Sequence, residues 1–94
     1  MFDIKFNEEK KIIISGRFSA ASVEQADSVL KSINEDCIID LKGLEYISSV
    51  GIGSLLRTYT RLKESGHTLK LVNLNRHVSE VIRYSGLDKV FTIE

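Results

Sequence analysis

Proline and tryptophan are absent from the 94 residues, and cysteine occurs once. A lone cysteine cannot close an internal disulfide, so the fold must be held by packing. Cys37 lies in the apolar run Cys37-Ile38-Ile39 and reads as a small buried hydrophobe, not as a nucleophile. Without proline, turns fall to Gly, Asn and Ser. Net charge is missing too, since 13 Lys and Arg balance 13 Asp and Glu, and the longest basic run is the pair Lys10-Lys11. That removes the electrostatic footprint of a protein that binds nucleic acid directly or coats an anionic membrane. No apolar run exceeds three residues, which excludes a membrane-spanning helix. The first ten residues hold no charged start followed by an apolar block, so no signal peptide is expected, and the expected location is the cytoplasm.

What is present is globular. A chain with 43% hydrophobic and 28% charged residues can bury a core, and 94 residues make one domain, residues 1–94. Residues 2–6 alternate apolar and polar, and 11–16 are β-branched up to Gly16; with the polar turn 7–10 between them they read as a hairpin. Val23, Ala26, Leu30 and Ile33 recur at helical steps behind Ser22, a candidate N-cap. Residues 37–43 read as a buried strand. Ile52, Leu55, Leu56, Tyr59 and Leu62 mark a second amphipathic helix that Gly66 ends. A strand over 67–74, a helix around Val78, Val81 and Ile82 closed by Gly86, and a short strand near 89–93 complete the chain. The order is ββαβαβαβ: an α/β domain with a mixed sheet of about five strands and three to four helices.

One stretch stands out, Tyr46-Ile47-Ser48-Ser49-Val50-Gly51-Ile52-Gly53-Ser54, at the mouth of the second helix. A serine there can cap the helix by accepting a backbone N–H. The same place suits a phosphate, because the helix end offers N–H groups and about half a positive charge. Two glycines in the first turns each cost roughly 0.5–1 kcal/mol against alanine. They call for a reason, either close packing on a strand or close approach of a partner.

Enzymatic chemistry finds no support. The Gly51-Ile52-Gly53 fragment continues to Leu56 where a dinucleotide loop needs a third glycine, and no G-K-[ST] follows. G-x-S-x-G is absent, and His67 and His77 lie in a turn and at a helix start, unpaired with a carboxylate at motif spacing. Metal-ligand spacing is lacking. The expectation is a protein that is not an enzyme and has no cofactor and no metal. A small-molecule binder is disfavoured because so small a domain has little room for a pocket of a few hundred Å³.

The block Asp40-Leu41-Lys42-Gly43-Leu44-Glu45-Tyr46-Ile47-Ser48-Ser49-Val50-Gly51-Ile52-Gly53-Ser54-Leu55-Leu56 resembles the STAS family's D-L-x-x-x-x-[FY]-[IM]-[DS]-S-x-G-[LI]-x-x-L-L. Residues 69–93, with Gly86-Leu87-Asp88 after the last helix, resemble the family's closing strand–helix–strand, so the likeness spans the whole chain. It is nearest to the stand-alone members, the bacterial anti-sigma factor antagonists. The resemblance implies a partner-switching cycle. The unmodified protein binds an anti-sigma factor that is also a serine kinase of the GHKL type, and the sigma factor is freed. Phosphorylation at Ser49, with Ser48 as the alternative, releases the protein, and a PP2C-type phosphatase resets it. The implied partner surface comprises Ser19, Ser48, Ser49, Val50, Gly51, Gly53, Ser54, Arg57, Thr58 and Arg61; on the helix, Ser54, Arg57, Thr58 and Arg61 lie off the apolar stripe and are expected to face outward. Tyr46 and Tyr59 are expected in the core. A monomer or weak dimer is expected. Gly16-Arg17-Phe18-Ser19 departs from the family's loop G-[ED]-[LIF]-D by replacing an acid with Arg17. That departure motivates the alternative of an unphosphorylated scaffold or a subunit of a sensory complex.

Overall fold

A computed structural model describes residues 1–9 and 11–94; Lys10, the last residue of the expected 7–10 turn, lies outside them. The chain opens with an antiparallel hairpin of β1 (Phe2–Phe6) and β2 (Ile12–Phe18), in register Ile4 with Ile14 and Phe6 with Ile12. A 3-10 turn at Ala20–Ser22 leads into α1 (Val23–Leu30), then β3 (Cys37–Asp40), β4 (Leu44–Ile47), α2 (Ser49–Glu64), β5 (Leu69–Val72), α3 (Arg76–Tyr84), a 3-10 turn at Leu87–Lys89, and β6 (Thr92–Ile93). The sheet runs β1-β2-β3-β5-β6, with all pairs parallel except β1 with β2. The mixed sheet and three helices follow the sequence expectation; the sixth strand, β4, does not.

The extra strand arises from a step in the chain. Asp40 accepts the Lys42 N–H at 2.8 Å and Leu41 O accepts the Leu44 N–H at 3.0 Å, which turns the chain out of β3. It then rejoins β2 further along, so β3 pairs with Ile12 and Ile13 while β4 pairs with the stretch from Gly16 to Phe18. The Asn75 side chain donates to Leu44 O and holds this step from the side of α3.

β2 does not end at Gly16, as its sequence suggested. Gly16 has φ +85°, a β-bulge separates it from Arg17, and the strand continues to Phe18. A Cβ on Gly16 would stand 1.6 Å from Met1 O, so any side chain is excluded there. Most of the expected 16–19 loop is therefore strand.

Alternation decides what is buried. Ile12, Ile14, Ile39, Leu69 and Leu71 point to one face and are essentially inaccessible, while Ile13, Ile38 and Val72 on the other are half-buried. Ala26 and Leu30 of α1, Leu55 and Leu62 of α2, and Val78 and Ile82 of α3 close over the first face. Each such Leu, Ile or Val side chain contributes about 1.5–3 kcal/mol by leaving water. Cys37 belongs to this core at 6% exposure, and burial, with a smaller effect from Glu35, pushes its thiol up to about 11. Ser22 occupies the N-cap position of α1 without capping it; its hydroxyl donates to Arg17 O at 3.0 Å instead.

Candidate functional site

The start of α2 is clamped onto the end of β2. Ser48 leaves β4 in an extended conformation (φ −92°, ψ 172°), and its N–H donates to Phe18 O at 2.9 Å. Its Oγ accepts the Gly51 N–H at 3.3 Å and its carbonyl accepts the Ile52 N–H at 2.9 Å, so Ser48 is the N-cap. A Cβ on Gly51 would lie 2.8 Å from Phe18 O and 2.9 Å from Ile47 Cγ1. This glycine is there because the helix backbone seats directly on the strand.

Ser49, one residue on, is exposed at the first helical position. The helix supplies no partner for the N–H groups of Ser49 and Val50, and the dipole places partial positive charge beside them. Val50 is 44% exposed. Gly53 differs from Gly51: among the described residues, and apart from its own helix backbone, the one atom within 4 Å of its absent Cβ is Arg57 Nη1, at 3.6 Å. Beside Ser49 runs an apolar surface groove of about 400 Å³ lined by Ile52, Val81, Tyr84 and Ser85. Sequence reasoning used Val81 only to mark the third helix and passed over Tyr84, which is 81% exposed. An aromatic lying outside the Val78, Val81, Ile82 stripe was the available signal.

The other flank of α2 corrects the sequence reading. Ser54 and Thr58 do not face outward; both are buried, at 0% and 5% exposure. Ser54 Oγ donates to Asp27 Oδ1 of α1 at 2.5 Å, and Thr58 Oγ1 donates to Ser54 O at 3.0 Å. Arg61 is half-buried and caps the end of α1, donating to Leu30 O and Ile33 O at 2.9 Å each. Arg57 remains largely exposed and pairs with Asp27 Oδ2 at 3.2 Å. Four residues expected on a partner surface thus form the polar seam between α1 and α2; Arg57 also reaches solvent freely and Arg61 does so in part.

On β2, Ser19 is half-buried beyond the strand end and its side chain caps nothing. The Arg17 guanidinium lies 4.3 Å from the Tyr46 ring centroid, and Tyr46 stacks on His77 at 5.6 Å and 17°. Tyr46 is therefore half-buried in a surface stack and is not a core residue; Tyr59, also half-buried, sets its edge on Phe91. His67 faces Asp36 at 3.6 Å in the turn before β5. Among the described residues no cluster of three His, Cys, Asp or Glu is placed to hold a metal, and no helix is long and apolar enough to cross a membrane.

Comparison with known proteins places this arrangement. The family model described as "Mlab, STAS domain" matches residues 3–93. The chain belongs to the STAS domain family. Among relatives, the anti-sigma-B factor antagonist of Bacillus subtilis (strain 168) is 30% identical over 95 residues, covering 97% of this chain and 87% of that protein. An anti-sigma factor antagonist from Mycobacterium paratuberculosis superposes with a TM-score of 0.81 at 22% identity, over 99% of this chain and 83% of that one. The anti-sigma factor antagonist SpoIIAA in its unphosphorylated form gives 0.75 at 20% identity, over 100% and 88%. These likenesses establish the STAS fold.

Proposed function

We propose that this STAS domain is an anti-sigma factor antagonist, a regulator and not an enzyme, gated at Ser49. Unmodified, it binds an anti-sigma factor that is also a serine kinase of the GHKL type and so frees the sigma factor. The kinase transfers the γ-phosphoryl group of ATP to Ser49 Oγ, which gives up its proton, and ADP leaves. A PP2C-type phosphatase hydrolyses the ester and releases inorganic phosphate.

The observation that carries this reading is the division of labour between adjacent serines. Ser48 is half-buried with its oxygen engaged by Gly51, whereas Ser49 is exposed beside free helix donors. Ser49 is the more exposed of the two serines, and this reading presents it to the kinase. A phosphate there adds about 1.5–2 negative charges next to the apolar groove of Val81 and Tyr84. A partner burying that groove against a neutral serine would have to desolvate a dianion after modification, and it lets go. Ser48, Val50, Gly53 and Arg57 complete the contact surface, while Ser54, Thr58 and Arg61 act inside the fold.

The test is incubation with a GHKL-type anti-sigma kinase and ATP, followed by mass-spectrometric location of the phosphate. Modification at Ser49 is expected, and none on Ser49 or Ser48 contradicts the reading. The Arg17–Tyr46–His77 stack favours a second reading, because it puts a cation where family members carry an acid. In that reading the protein is a scaffold or a subunit of a sensory complex, and its partner binding is indifferent to Ser49→Asp.

A further inference from the structure

Gly53 is the helix residue that packing leaves unexplained. It sits in the second turn of α2, where glycine costs about 0.5–1 kcal/mol against alanine, yet among the described residues no other strand or helix comes within 4 Å of where its Cβ would stand. Its one close neighbour is the Arg57 guanidinium, which lies back along the helix with Nη1 3.6 Å from the missing Cβ and Nη2 on Asp27 at 3.2 Å. Ser49 is one turn before Gly53, and side chains so spaced lie about 5–6 Å apart on one face. An exposed cation therefore stands over Gly53, the residue one turn after Ser49, with no side chain between them.

Building on phosphorylation at Ser49, we propose that Arg57 is the counter-ion of the Ser49 phosphate, and that Asp27 and the phosphate compete for it. In the unmodified protein the guanidinium bridges to α1 through Asp27. Once a dianion is attached to Ser49, the guanidinium swings over Gly53 and presents its fork to two phosphate oxygens. Asp27 keeps its hydrogen bond from Ser54, so the α1–α2 seam stays closed while its exposed cation is withdrawn. The modification then changes the outer face of α2 twice, by adding negative charge at Ser49 and by removing positive charge near Asp27. The other charged and titratable groups on the surrounding elements are Glu24 on α1 with Lys31 just after it, Arg17 on β2, Glu45 on β4, and Arg76, His77, Glu80 and Arg83 on α3. Arg17 is held over Tyr46 and Arg83 lies 5.7 Å from the Tyr84 ring, so each has a seat of its own.

The test uses protein carrying phosphoserine installed at position 49 during translation, with the second phosphate pKa read by 31P NMR titration. In the wild type it is expected below the free value of about 6. Arg57→Gln is expected to raise it by about half a unit or more, and Asp27→Asn, which frees the guanidinium, to lower it. Arg17→Gln and Arg83→Gln are expected to leave it within about 0.2 units. An unchanged value in Arg57→Gln overturns the proposal, as does a larger shift from Arg17→Gln or Arg83→Gln. Because the phosphate is installed and not transferred by a kinase, such a failure leaves the kinase reading standing. Failure of the kinase experiment leaves this competition measurable.

Discussion

Two flanks of one helix, α2, are built from the same kinds of residue and end in opposite situations. The flank toward α1 carries Ser54 and Thr58, both buried, and Arg61, half-buried, each drawn inward because it finds an acceptor on α1, just beyond its end, or on its own helix. The outer flank carries Ser49, Val50 and Gly53, and the fold gives them almost nothing to touch. The difference teaches that polarity on a helix does not report exposure. What decides it is whether a partner group stands opposite, here Asp27 and the carbonyls that end α1. Residues that the fold has used are poor candidates for recognition, and residues that it leaves idle are good ones.

That contrast can be attacked first at the two glycines. Gly51→Ala drives a methyl into the Phe18 carbonyl, which cannot move without disturbing the end of β2, so a loss of about 2–3 kcal/mol is expected in urea unfolding. Ser54→Ala removes the inward hydroxyl and one hydrogen bond from Asp27, for a loss of about 1–2 kcal/mol by the same assay, whereas Ser49→Ala is expected to be close to neutral. The core adds a smaller, pH-dependent effect. The Cys37 thiol titrates near 9 when unfolded and about 11 when folded, so both states are protonated below pH 9. Above it the unfolded chain ionises first, and stability falls relative to Cys37→Ala by about 1 kcal/mol at pH 10. Smallest, Gly53→Ala meets only open space and a flexible guanidinium, and is expected to stabilise by about 0.5–1 kcal/mol. Loss of stability in that variant would show that the outer flank is architectural after all.

The contrast also marks how far the sequence could be read. The apolar stripe Ile52, Leu55, Leu62 and the β-branched β2 and β3 were legible because burial imposes a local period on them. β4 was not: Leu44 to Ile47 is four residues long with no turn residue separating it from Ser48, so it merged with the approach to the helix. Its pairing with β2 depends on a step that Asp40 begins locally through the Lys42 N–H and that Asn75 holds from 31 positions away, a contact that no local pattern announces. The candidate site was proposed from position, two serines before glycines at a helix start. Which serine caps and which is displayed turned on one residue of register. Ser54 and Thr58 were misplaced because Ser54's acceptor, Asp27, lies on another helix 27 positions away.

The central claim is that one displayed hydroxyl gates association by its charge. Its most direct test is calorimetric titration of the anti-sigma factor kinase with unmodified protein and with protein phosphorylated at Ser49. The account predicts affinity weakened by about 100-fold or more, with Ser49→Ala binding as tightly as wild type. Equal dissociation constants for the two forms would contradict it.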